Sequence, residues 1–135
     1  MLMAWNLVKA IFGGGDEKKP GEKAFRLTAE QIKPLATGRG SCIATDMITV
    51  EGRKVAFLYR QAPDNDIDSG WRFMSGFESP EYMDIPANHA IYDVNTIANY
   101  DPEIIPLLDA PIGAAFEREN GTGAFSEVFD FDPPE

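Results

Sequence analysis

The stretch CIATDMITVEGRKVAFLYR, residues 42–60, decides how the rest of the chain is read. Its two halves, Cys42 to Val50 and Arg53 to Arg60, are rich in β-branched, aromatic and apolar residues, which suit a pleated, half-buried surface. Glu51-Gly52 between them has the composition of a tight turn, so the stretch predicts a β-hairpin. In the second half Val55, Phe57 and Tyr59 alternate with Ala56 and Leu58. Apolar groups on both sides of a strand mark it as an inner one.

Working outward, Trp71 to Ser75 and Ala90 to Val94 read as shorter strands, and PDNDIDSG, residues 63–70, is turn chemistry between two of them. Ala114 to Glu119 and Ala124 to Phe129 flank Asn120-Gly121-Thr122-Gly123, which predicts a final hairpin. Helical signals are brief. Thr28 and Gln31 have capping-box spacing in a segment that Pro34 limits. The run Asn95 to Tyr100 allows a turn or two, and Asp101-Pro102-Glu103 resembles a helix start that Pro106 keeps short. Strands in runs joined by short turns predict the α+β class: one domain with a mainly antiparallel sheet and a few short helices.

The expected organisation is an apolar N-terminal segment with a flexible, glycine-rich and charged linker over residues 1–24, the domain over 25–130, and a frayed tail over 131–135. The opening MLMAWNLVKAIF is far shorter than the roughly 20 residues of a spanning helix, and it lacks the flanks of a secretory signal. Cys42 is the lone cysteine of 135 residues, which excludes an intramolecular disulfide and suits a reducing cytoplasm.

The net charge of −10 is unevenly spread: residues 61–103 hold nine acidic residues against Arg72 alone. Such a surface repels nucleic-acid phosphates and anionic membranes and attracts basic partners at long range. Nucleic-acid binding and stable membrane insertion are therefore not expected.

Four groups of residues invite chemistry. Asp64, Asp66 and Asp68 occupy positions one, three and five of a calcium loop, but position six is Ser69 and position twelve is Ser75, so the ligand set falls short. A small-ligand or calcium module built on this loop and Trp71 stays as an alternative. Gly38-Arg39-Gly40-Ser41-Cys42 lacks the Gly-Lys-Ser ending and following helix of a phosphate loop, and a turn is the better reading. Cys42 and His89 would make a thiolate and base only if the fold brought them together; in sequence Cys42 reads as a small core residue and His89 as polar surface. Trp71 and Phe73 share a strand face directly after the acidic loop, which fits either a core position or an anchor in a partner-facing patch.

Over about residues 38–118 the chain resembles a bacterial family first catalogued as a domain of unknown function and later grouped with the immunity proteins of polymorphic toxin systems, immunity family thirty-three. The resemblance is carried by Gly40-Ser41-Cys42, Tyr59-Arg60, Asp68-Ser69-Gly70-Trp71-Arg72-Phe73, Ser75-Gly76 and Tyr92-Asp93-Val94-Asn95-Thr96-Ile97. It implies a non-enzymatic protein that binds and neutralises a cognate toxin and needs neither cofactor nor metal. An acidic inhibitor suits a basic toxin, because opposite charge speeds association. On that implication the expected contact anchors are Trp71, Arg72, Tyr82 and Tyr92, supported by Asp64, Asp66, Asp68, Glu78, Glu81 and Asp84.

Overall fold

The computed structural model describes residues 23–133. Its centre is a six-stranded sheet: β1 (Ser41–Thr45), β2 (Phe57–Arg60), β3 (Asp68–Met74), β4 (His89–Asp93), β5 (Ala115–Glu119) and β6 (Thr122–Glu127), in the spatial order β4-β1-β3-β2-β5-β6. Every neighbouring pair is antiparallel except β1 and β3, which run parallel. The α+β architecture and mainly antiparallel sheet are as the sequence predicts.

The hairpin expected over residues 42–60 does not form. Chain direction changes after Thr45, where a short helix α1 (Asp46–Thr49) replaces the second half of the expected first strand. The chain then passes Gly52 and reaches β2, but β3 lies between β1 and β2. The physical reason is burial: Trp71, Arg72 and Phe73 of β3 are almost wholly removed from solvent, which requires covered strands on both sides. The last hairpin does form, with Asn120 and Gly121 both at positive φ (50° and 76°), as the tight connection of β5 to β6 requires.

One face of the sheet carries the main core. Cys42, Ala44, Leu58, Trp71 and Phe73 pack there against Val94, Ile97 and Ala98 of helix α3 (Val94–Tyr100) and against Ile104 and Leu108 of the following 3-10 segment. Asp93 caps α3 by accepting from the Asn95 N–H, and Asp101 does the same for the Glu103 N–H. Each large side chain buried here contributes about 1.5–3 kcal/mol.

The opposite face is smaller and more open. Ile43, Tyr59, Met74 and Ala115 form its apolar floor, covered in part by Met83 of helix α2 (Pro80–Met83) and by Phe57, Val128 and Phe131. Phe131, expected in a frayed tail, lies 5.3 Å from the Phe57 ring and 5.0 Å from Tyr59. The predicted N-terminal segment and linker lie outside the described residues apart from Lys23 and Ala24; Lys23 bonds Asp46 at 2.8 Å. Among the described residues no helix is long and apolar enough to cross a membrane.

Candidate functional site

The parallel pairing of β1 and β3 is irregular, and the irregularity builds the acidic loop. Ser41 pairs with Asp68 and Ile43 with Arg72, so two steps along β1 span four along β3. The extra residues pucker around Gly70, whose φ of +90° is open to glycine at little cost. The pucker folds Asp68 back onto Arg72. Arg72 Nη1 donates to Asp68 Oδ1 at 3.0 Å and Nη2 to Oδ2 at 2.9 Å, while Asp64 Oδ2 lies 3.4 Å from the same Nη2.

The remaining carboxylate positions are also filled. Asp68 accepts from the N–H groups of Asp64 and Gly70, and Asn65 Oδ1 accepts from those of Ile67 and Asp68. Burial by itself raises the Asp68 carboxyl, but the Arg72 hydrogen bonds and these two N–H donors outweigh it and hold the group below the ordinary carboxylate value. Two of the three loop aspartates are thus committed to the protein's own guanidinium, which leaves too few carboxylates for a calcium loop. Among the described residues no group of three or more His, Cys, Asp or Glu side chains is placed to hold a metal.

The remaining expected contact residues separate into four sets. Trp71 and Arg72 are buried, Trp71 at 1 % exposure with its Nε1 donating to the Leu108 carbonyl, so the fold withholds both expected anchors from the surface. Tyr92 lies on the helix-covered face, its hydroxyl 3.2 Å from Thr49 Oγ1 and its ring 6.0 Å from Phe25, whereas Tyr82 belongs to α2 on the other face. The two tyrosines therefore do not share a surface. Burial pushes both hydroxyls well above their ordinary value. Glu78 is a backbone staple: its carboxylate accepts from the Ser75 and Gly76 N–H groups and the Thr45 hydroxyl. Asp64, Asp66, Glu81 and Asp84 are exposed.

His89, expected as polar surface, is fully buried at the start of β4, with Nε2 3.0 Å from the Met83 carbonyl oxygen. It pairs with Thr45, while Cys42 pairs with Tyr92 three residues away along β1, about 10 Å at strand rise. The two side chains also belong to opposite faces, so no thiolate–imidazole pair forms. Burial pushes the Cys42 thiol far up and holds the His89 imidazole down toward its neutral form.

What the open face does offer is apolar groups beside acid. Ile91, on β4 opposite Ile43, is exposed next to Asp64 and Asn65, and Ile85 is exposed just after α2 with Asp84 beside it. Neither isoleucine stands out in the sequence, although the alternation of Ala90-Ile91-Tyr92 places Ile91 away from the helix-covered side. Glu117 and Glu119 share this face through β5, with Glu117 opposite Phe57.

The family model described as the immunity protein Imm33 domain matches residues 42–129. No curated protein and no solved structure matches the chain.

Proposed function

The chain belongs to the Imm33 immunity protein family, and we propose that it binds a cognate toxin domain in the bacterial cytoplasm and neutralises it by occupying its working surface. The observation that carries this reading is the family match across most of the β-sheet and its helices. Immunity of this kind calls for a stable complex and no chemistry, and the buried Cys42 and His89 and the internally paired Asp68 are consistent with that.

The contact surface proposed is the open sheet face together with α2, with residues 25–130 as the binding unit. Asp66, Glu81 and Asp84 supply exposed negative charge there, Tyr82 and Ile91 supply partly exposed apolar area, and Asp64, Asp68 and Glu78 hold the supporting loops in place. A charged rim around a few apolar anchors is the usual anatomy of a tight interface. A basic toxin fits this surface best, because steering by opposite charge raises the encounter rate.

The test is co-expression with the product of the neighbouring gene in cells whose growth that product arrests. Restored growth together with a stoichiometric complex on purification is the expected result. Growth arrest that this protein leaves unchanged, with no complex formed, overturns the proposal.

A further inference from the structure

The open face contains a cleft of about 440 Å³ between the end of β3 and β5. Phe57, Met74 and Met83 supply a soft apolar floor, Glu117 and Glu119 stand on one rim, and Glu78 and Arg118 also line the cleft. The two glutamates are two residues apart in β5, so they project to the same side, and Glu117 lies directly opposite Phe57.

Like the exposed Asp66, Glu81 and Asp84, these carboxylates hold no internal cation among the described residues; what sets them apart is their place on the rim of a cleft. Among the described residues neither is ion-paired, whereas Asp68 has Arg72, Asp101 and Glu103 have Arg118, and Asp109 has Arg39. Arg118, between them in sequence, also lines the cleft, but its guanidinium is taken up by Asp101 and Glu103 and lies 4.2 Å from the Phe125 ring centre. The bases just before β2 are engaged elsewhere: Arg53 lies over the Phe77 ring at 4.5 Å and bonds Glu51, and Lys54 donates to the Tyr100 carbonyl.

An apolar floor ending at two carboxylates that pair with no cation among the described residues is complementary to a long side chain with a positive end. We propose that the cleft is the anchor pocket for an arginine side chain of a basic protein partner. The alkyl stem lies along Phe57 and the methionine thioethers, and the guanidinium reaches Glu117 and Glu119 as a charge-assisted pair. Methionine floors adapt to the shape of an inserted chain, which suits a pocket of this volume. This inference rests on the toxin-binding reading and names its site.

The test is an NMR titration of the full chain with Nα-acetyl-arginine amide, with Nα-acetyl-norleucine amide as the uncharged control. Saturable shifts confined to Gly76, Met83, Glu117 and Glu119 are expected with the arginine probe alone. The double variant Glu117→Gln, Glu119→Gln, at exposed positions that leave the folded spectrum intact, is expected to weaken binding by about fivefold or more. Shifts scattered over the acidic surface, absence of saturation, or binding indifferent to the double variant overturns the pocket. The same variant in the growth assay separates the two ideas: full protection by both variant and wild type removes the pocket and keeps immunity. Arginine binding at the cleft without any protection by wild type keeps the pocket's chemistry and removes immunity.

Discussion

Asp68 and Arg72 form a two-armed ion pair inside the sheet, with Nη1 on Oδ1 and Nη2 on Oδ2 and side-chain exposures of 6 % and 1 %. Removing either partner leaves the other charge buried without compensation, which costs about 3–5 kcal/mol, whereas removing both charges together costs less. Asp68→Ala and Arg72→Met are therefore each expected to lower the free energy of unfolding by about that amount, and the double variant by clearly less than the sum of the two. Urea denaturation of the three variants measures this, and additive losses in the double variant would contradict the assignment.

Acid acts on His89 before it acts on Asp68. Burial lowers the imidazole's affinity for a proton in the folded state, with the Met83 carbonyl opposing in part, so the unfolded chain binds the proton first. Stability is then complete above the unfolded value of about 6.5 and falls as pH drops toward the lower folded value. Asp68, also depressed in the folded state, keeps its contribution above about pH 4 and loses it as pH falls through its folded value. Denaturation midpoints from pH 8 to pH 5 should decline in the wild type and stay flatter in His89→Gln.

Gly70 is where the β3 pucker admits no side chain. A Cβ there would stand 2.1 Å from the Gln61 carbonyl oxygen, a backbone atom, at a φ of +90°. Gly70→Ala is expected to cost more than about 2 kcal/mol, since steric displacement adds to the strain of a left-handed backbone. Gly113→Ala separates the two effects: its φ is +101° with nothing within 4 Å, so strain alone remains, at about 1 kcal/mol. Thermal denaturation of the pair should preserve that order.

The exposed acids and the buried one should fail differently in toxin binding. Asp66→Lys, Glu81→Lys and Asp84→Lys together are expected to slow association about tenfold at low salt and to flatten its salt dependence, leaving stability nearly unchanged. Asp68→Asn should act on stability instead. Stopped-flow association at two ionic strengths, beside a denaturation curve, distinguishes the two outcomes.

Several elements were legible residue by residue because their signals are local. Alternation marks β2, β3, β4 and β5, the Asn120-Gly121 turn joins β5 to β6, and the Asp101-Pro102-Glu103 start opens a 3-10 segment, all as expected. The error at residues 46–50 is local too. Isoleucine, threonine and valine there carry a β preference, and a covered position beneath the sheet's end overrides it, with Ile48 and Thr49 buried in α1. The candidate site was legible in its charge and not in its geometry. Acid counts locate the negative segment, but counting does not reveal which carboxylates already hold an arginine.

The strand inventory, the α+β class and the acidic balance follow from the chain's own order, because alternation, capping and net charge depend on neighbours and totals. The placement of β3 between β1 and β2, the burial of Trp71 and the neutralisation of Asp68 were decided in three dimensions. Strand pairing joins segments far apart in sequence, Ser41 with Asp68 among them, and the Gly70 pucker that brings Asp68 onto Arg72 exists only once β3 is pinned against β1 on one side and β2 on the other.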